Sequence, residues 1–149
     1  MFYLELVSGI RKGELVALRW EDLDVEQRTI SVSKQATKDA DNNLIVARPK
    51  TENSIRQISI PQEAVELLVK EHSKHPGNPW LFPSSRTGGM YHPDSVATLH
   101  QRILKDAGLE HLRFHDLRHT FATLALQNGV DIKTVSAMLG HYDAGFTLR

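Results

Sequence analysis

The sequence has no cysteine, no net charge and no long apolar run. Without cysteine, neither a disulfide framework nor a thiolate metal site can form. There are 18 basic and 18 acidic residues, so the chain as a whole is not a basic protein that coats nucleic acid, although a local basic cleft remains possible. No apolar run approaches the roughly 20 residues of a membrane span, and the first residues do not form a signal peptide. We therefore expect an intracellular protein.

The sequence does contain a mainly helical pattern with one small region of strands. Its 149 residues, 40% of them hydrophobic, are enough for one domain with its own core. Strand-like alternation occurs at 28–35, 44–47 and 55–61, with a hairpin tip at 38–43. Helices are predicted at 2–8, 11–19, 61–72, 93–107, 114–127 and 131–140. The pattern predicts an α+β domain, mainly helical, with a small antiparallel sheet.

The two ends of the sequence lack the usual signals of chain termini. The first helical pattern begins at Phe2 without a capping residue, and the last residues, Phe146 to Arg149, contain no turn signal or polar tail. We therefore expect a fragment of a longer protein.

Arg118 carries the most functional information. It lies on the apolar stripe of the predicted helix 114–127, among Phe114, Leu117 and Phe121. Arginine keeps its charge at any working pH, so an inward-facing arginine needs an anionic partner. That partner is either a carboxylate of the fold or a ligand such as phosphate. His115 lies one turn earlier over the same groove, and such a pair is typical of a phosphate or oxyanion receptor.

Other polar candidates each have two interpretations. Arg11 follows a tight turn, where backbone N–H groups and its guanidinium would converge on an anion, or it pairs with Glu14 as an ordinary helix arginine. Lys50 lies at the mouth of the hairpin, where a lone lysine is usually only solvated. His141 follows a predicted helix end and would cap it in the cationic form. Tyr142 is predicted to pack against the domain.

Histidines recur every four residues at His111, His115 and His119, which on a continuous helix would align three metal ligands. Zinc usually takes three or four good ligands, however, and no cysteine completes the set. His111 also precedes the predicted start of the helix. The pattern therefore favours an interpretation without a metal.

Four segments follow one another along the chain: Ser8-Gly9-Ile10-Arg11-Lys12-Gly13-Glu14-Leu15, Pro49-Lys50-Thr51 with Ser54-Ile55-Arg56, His115-Asp116-Leu117-Arg118-His119-Thr120 and Leu139-Gly140-His141. In this order they resemble the tyrosine recombinase (phage integrase) family, over almost the whole chain. Ser8 stands where many members have threonine.

The resemblance implies a catalytic domain over residues 1–149, without the family's N-terminal core-binding domain and C-terminal tyrosine segment. In this family a tyrosine hydroxyl attacks a DNA phosphodiester, which gives a 3′-phosphotyrosyl link and a free 5′-hydroxyl, and the reverse attack rejoins the strands. By resemblance Arg11 and Arg118 clamp the phosphate, and Lys50 protonates the leaving 5′-oxygen. His115 takes part in proton transfer with the tyrosine, and His141 donates a hydrogen bond to the phosphate.

The resemblance also gives Glu14 the task of orienting one of these cations. The family's tyrosine follows the last histidine motif by roughly nine or ten residues. Only eight residues follow His141 here, so the nucleophile is expected beyond Arg149 and the chain itself is expected to be inactive. No cofactor and no metal are implied. The implied partner is double-stranded DNA, with the full-length protein tetrameric on paired sites in the bacterial cytoplasm at the nucleoid. The alternative function is a DNA-binding or regulatory module without a nucleophile.

Overall fold

The computed structural model describes residues 1–141, which form an α+β domain of six helices and five short strands. Tyr142 and the predicted chain end lie outside these residues. The helices are α1 Phe2–Ser8, α2 Lys12–Val16, α3 Gln62–His72, α4 Pro93–Asp106, α5 Phe114–Gln127 and α6 Ile132–Leu139. The strands are β1 Leu23–Asp24, β2 Thr29–Val32, β3 Gln35–Lys38, β4 Leu44–Ala47 and β5 Arg56–Ser59.

The described strands form two antiparallel sheets, whereas the sequence predicts one. One sheet has the order β1-β2-β5, with Ile30 opposite Ile58, and the other is the β3-β4 hairpin. The predicted strand 28–35 is divided after Val32, where the Lys34 ammonium forms an ion pair with Asp22 at 2.7 Å. Ile30 and Val32 are buried in the core, while the β3 residues are half-buried or, at Lys38, exposed. The β3-β4 hairpin is therefore a separate unit beside the core.

The helix predicted over 11–19 is shorter than expected, because the chain turns into the core after Val16. Ala17 and Leu18 are buried, at 0% and 2% exposure. The Leu18 carbonyl accepts a hydrogen bond from the Leu81 N–H at 3.0 Å, so the apolar segment 80–83 satisfies the backbone that a longer helix would have satisfied internally. The central core thus includes α2, the three-stranded sheet and this segment.

The later helices match their predicted bounds because their end signals are strong. Pro93 begins α4, and the Asp131 carboxylate accepts from the Thr134 N–H at 3.0 Å to cap α6. Gly140 ends α6 in the left-handed conformation, with φ +67°. In α3 the side chains of Ala64 and Leu68 are buried, whereas that of Leu67 is 52% exposed. No helix within residues 1–141 combines the length and apolarity that crossing a bilayer requires.

Gly9 gives a testable consequence of how tightly α1, α5 and α6 meet. Its φ is +65°, and a Cβ there would lie 2.6 Å from both Leu139 Cδ2 and Phe121 Cδ1. Gly9→Ala is expected to lower the free energy of unfolding by about 3 kcal/mol, from backbone strain and overpacking together. Urea denaturation of the 149-residue chain measures this loss.

Gly129 is the matched control, because its φ is +84° and nothing lies within 4 Å of a Cβ there. Gly129→Ala should cost only the backbone strain, about 1 kcal/mol. Equal losses of unfolding free energy in the two variants would show that a Cβ at position 9 does not clash with Leu139 and Phe121.

Candidate functional site

Arg118 is buried in α5, at 4% exposure, and its guanidinium donates to three acceptors. They are the Gly9 carbonyl at 2.5 Å, the Leu139 carbonyl at 2.6 Å and His141 Nε2 at 2.9 Å. Within residues 1–141 no carboxylate accepts a hydrogen bond from it. Burial, followed by the positive charge of Arg11, lowers the pKa of Arg118 to about 10. A buried cation with neutral hydrogen-bond partners is suited to receive an anion.

Two turns bring backbone carbonyl groups to Arg118 and Arg11. Gly9 ends α1 and Gly140 ends α6, both with positive φ that favours glycine. The first turn directs the Gly9 carbonyl at Arg118. The second turn places the Gly140 carbonyl 3.2 Å from Arg11 Nη2. Two helix ends that are distant in sequence therefore meet at one pair of arginines.

Arg11 is the residue directly before α2, and it is bound to Glu14 in the way that their spacing predicts. The Arg11 N–H donates to Glu14 Oε2 at 3.0 Å, and its Nη1 donates to Oε1 at 3.2 Å. The Arg11 side chain is 36% exposed, whereas that of Glu14 is 1% exposed. Arg11 is thus anchored from the protein side and still open to solvent.

Arg56 completes the site, although sequence analysis gives it no function. Its Nη1 and Nη2 bind the Glu14 carboxylate at 3.0 and 2.9 Å, and its Nε donates to the Met138 carbonyl at 2.6 Å. Its side chain is only 7% exposed. The available signal was the strand period, which puts Arg56 on the same face of β5 as the buried Ile58. We call Arg11, Arg56 and Arg118 the arginine cluster.

Glu14 is the carboxylate that holds this cluster together. Burial alone would raise the pKa of Glu14, but the hydrogen bonds and charge of Arg56, together with those of Arg11, outweigh burial and lower it. Glu14 is therefore ionised at neutral pH and orients two of the cations, as the resemblance implies for one. Its single negative charge leaves the cluster with an excess of positive charge.

His141 contacts the cluster as a neutral ring. Burial and the charges of Arg118, Arg11 and Arg56 lower its pKa to about 4. The expectation of a cationic, helix-capping histidine is therefore wrong, because burial and the neighbouring guanidinium groups outweigh the helix dipole. A guanidinium has no acceptor, so Nε2 accepts from Arg118 and the ring proton lies on Nδ1.

His115 lies one turn before Arg118 in α5, at the predicted place. Its ring makes an edge contact with that of His119, with 5.0 Å between centroids. Partial burial, then the charges of His119 and Arg118, lower the pKa of His115, so it is neutral and able to accept a proton.

His111 lies before α5, whereas His115 and His119 lie within that helix. Within residues 1–141, no three His, Asp or Glu side chains form a group that could hold a metal ion.

Lys50 is the candidate that the structure does not bring into contact with the others. It is exposed in the segment after β4 and, within residues 1–141, it forms no hydrogen bond or ion pair. The same segment leads to Ser54, whose carbonyl accepts from Arg56 at 2.8 Å. The base of the segment is therefore attached to the cluster, while Lys50 remains in solvent.

Glu5 is a second residue that sequence analysis missed, because it lies within the apolar pattern of α1. It is 1% exposed, and its Oε2 is buried without a hydrogen-bond partner among residues 1–141. Burial raises its pKa to about 8; the charge of Arg118 opposes this and that of Glu14 adds to it. The signal was its spacing, one helical turn before the Ser8-Gly9 turn.

Comparison with known proteins identifies the family behind this geometry. The phage integrase family matches residues 1–149. The chain belongs to this family. The Tyrosine recombinase XerC-like protein of Caldanaerobacter subterraneus subsp. tengcongensis is 33% identical, over 99% of this chain and 43% of the relative. The ICEBs1 integrase of Bacillus subtilis is 31% identical, over 94% of this chain and 40% of the relative. The chain thus spans about two fifths of the length of these curated relatives.

Solved structures confirm the fold of this integrase-family chain. XerA recombinase superposes with a TM-score of 0.80 at 27% identity, over 97% of this chain and 48% of XerA. The Tn1549 transposon integrase in complex with transposon right end DNA superposes with a TM-score of 0.85 at 24% identity, over 99% of this chain and 51% of that integrase. The predicted α+β, mainly helical tyrosine recombinase catalytic-domain fold is therefore confirmed.

Proposed function

We propose that the chain binds a DNA phosphodiester at the arginine cluster, as part of a tyrosine recombinase that cleaves and rejoins DNA at specific sites. The observation that carries this is the charge of the site. Three guanidinium groups converge, and within residues 1–141 only Glu14 accepts hydrogen bonds from them as a carboxylate. Arg11 connects this positive pocket to solvent. The planar guanidinium of arginine can bind two phosphate oxygens at once, which the ammonium of lysine, a point charge, does less well.

In the proposed reaction a tyrosine oxygen forms a bond to phosphorus as the bond to the 5′-oxygen breaks. Negative charge that gathers on the non-bridging oxygens is stabilised by Arg11 and Arg118, which are held in place before the substrate arrives. Neutral His115 accepts the proton of the tyrosine hydroxyl. The Nδ1–H of His141 donates a hydrogen bond to the phosphate, and Lys50 moves in with its loop to protonate the leaving 5′-oxygen.

We propose that the nucleophile is not part of this chain and that the 149 residues alone do not cleave DNA. Tyr3 and Tyr91, the tyrosines within residues 1–141, both line a cavity of about 390 Å³ between α1 and α3, and none of the proposed site residues lines that cavity. From the family spacing we expect the tyrosine after Arg149. We therefore treat residues 1–149 as a catalytic-domain fragment of a full-length protein with an additional N-terminal DNA-binding domain.

The proposed partner is double-stranded DNA. It is supported by two similar solved structures, that of the Tn1549 transposon integrase with transposon right end DNA and that of a lambda integrase dimer bound to a core site. The full-length protein is proposed to act as a tetramer on paired sites at the bacterial nucleoid.

A nicked suicide DNA substrate tests the proposed activity. The full-length protein is expected to form a covalent adduct, because the fragment released at the nick cannot return to reverse the cleavage. The 149-residue chain should form none. Denaturing gel electrophoresis of labelled DNA measures the adduct, and substitution of the restored tyrosine by phenylalanine should remove it.

The other outcomes separate the alternatives. Binding without an adduct in the full-length protein would support a DNA-binding module without a nucleophile. The same assay with EDTA should give an unchanged amount of adduct, and loss of the adduct with EDTA would favour a metal-dependent reaction.

A further inference from the structure

Glu5 is a buried carboxylate that the proposed reaction does not use. It lies on α1 beside the core residue Leu4, and its side chain is nearly inaccessible, at 1% exposure. Its Oε2 has no hydrogen-bond partner among residues 1–141. Its own carbonyl accepts from the Gly9 N–H at 2.8 Å, so Glu5 belongs to the turn that directs the Gly9 carbonyl at Arg118. A buried carboxyl group without a hydrogen-bond partner destabilises the fold, and the ionised form costs more than the protonated form.

The charged groups that act on Glu5 come from two other helices. Arg118 on α5 favours its ionised form, and Glu14 on α2 disfavours it. The positive charges of Arg11 and Arg56 in turn lower the pKa of Arg118. Burial outweighs the attraction of Arg118 and raises the pKa of Glu5 to about 8. At neutral pH Glu5 is therefore mostly protonated, and Arg118 lacks a nearby negative charge from it.

We propose that Glu5 is a positioning residue whose protonated form leaves Arg118 available to a phosphodiester, so that anion binding at the cluster is coupled to proton retention by Glu5. This inference rests on the proposed phosphate pocket. An ionised Glu5 would neutralise Arg118 from the protein side and would repel the incoming phosphate. A bound phosphate in turn makes ionisation of Glu5 less favourable. Binding therefore takes up a proton wherever free Glu5 is ionised, and the affinity falls as the pH rises above the pKa of free Glu5.

Dimethyl phosphate is the probe, because a phosphodiester keeps a single charge across the pH range used. Its binding to the 149-residue chain is measured by NMR titration between about pH 6 and about pH 9. We expect the wild-type affinity to be nearly constant at low pH and then to fall, by at most about tenfold per pH unit, above about pH 8. Glu5→Gln should bind at least as tightly as the wild type and should lose this decrease.

Glu63→Gln is the matched control, because Glu63 is an exposed glutamate on α3. It should keep the pH dependence of the wild type. If dimethyl phosphate binds neither wild type nor Glu5→Gln at any pH, the phosphate pocket itself is wrong. If both bind with the same dependence on pH, the pocket stands and the inference about Glu5 is overturned.

A second measurement does not depend on the variant folding. In the wild-type chain with ¹³C-labelled glutamate, the carboxyl signal of Glu5 should titrate near pH 8, and its midpoint should rise when dimethyl phosphate is added. A midpoint in the range of an exposed glutamate, or a midpoint that the ligand leaves unchanged, would contradict the inference.

Discussion

Replacing Arg118 by alanine is expected to abolish DNA cleavage by the full-length protein while leaving most duplex binding intact. Donors directed at charge that develops in the transition state are worth about 100-fold or more in rate. Duplex affinity, in contrast, is the sum of many phosphate contacts elsewhere on the protein, so we expect it to fall by less than about tenfold. Single-turnover cleavage of the nicked substrate and a binding titration measure the two quantities on the same preparation.

Arg113→Ala is the matched control for Arg118→Ala. Arg113 precedes the same helix, its side chain is 75% exposed, and it binds Asp116. It should cleave and bind nearly as the wild type does. Because Arg118 also donates to the buried Gly9 and Leu139 carbonyls, the unfolding free energy of Arg118→Ala must be measured as well. Equal loss of binding and cleavage would indicate a structural arginine.

Replacing Glu14 by leucine is expected to have the largest effect on stability, about 3–5 kcal/mol. The change leaves Arg56 buried at 7% exposure without its bidentate partner, and Arg11 without its anchor. In the double variant Glu14→Leu, Arg56→Leu the unpaired buried charge is gone, so the double variant should be more stable than Glu14→Leu alone. Urea denaturation of the 149-residue chain measures both.

Glu71→Gln is the control for an ion pair at the surface, since Glu71 and Lys74 are 45% and 61% exposed. Glu71→Gln should lower the free energy of unfolding by no more than about 0.5 kcal/mol.

The contribution of Glu14 to stability depends on pH. Because the pKa of Glu14 is lowered in the folded chain, this contribution is present above the ordinary pKa of glutamate and is lost as the pH falls through the lowered value. A loss for Glu14→Leu no larger than that of Glu71→Gln would show that Glu14 does not hold the cluster.

The parts of the fold that could be predicted are those with local signals. Helices α5 and α6 match their predicted bounds because apolar periodicity and end signals agree there. The division into two sheets could not be predicted, because it depends on which strands pair in the folded chain and which of them reach the core. The local sequence pattern alone does not determine which strands pair in the tertiary structure.

The same distinction applies to the site. Arg118 stands out in the sequence as a charge on an apolar stripe, but its acceptors include a backbone carbonyl 109 residues away, and carbonyl groups leave no sequence signal. Arg56 and Glu5 were missed for a related reason. Arg56 binds a glutamate 42 residues away, and Glu5 interacts with Arg118, which lies on a helix distant in the sequence. Buried residues that hold or influence the site residues become apparent only in the folded structure, where the helices and strands pack together.

A structure of the full-length protein on duplex DNA that carries its recombination site tests the central claim most directly. We predict that the guanidinium groups of Arg11 and Arg118 both lie about 3 Å from non-bridging oxygens of one phosphate, the one whose 5′-oxygen is displaced. The contrary result would be DNA bound elsewhere, with Arg118 still bonded only to Gly9, Leu139 and His141 and no phosphate at the arginine cluster.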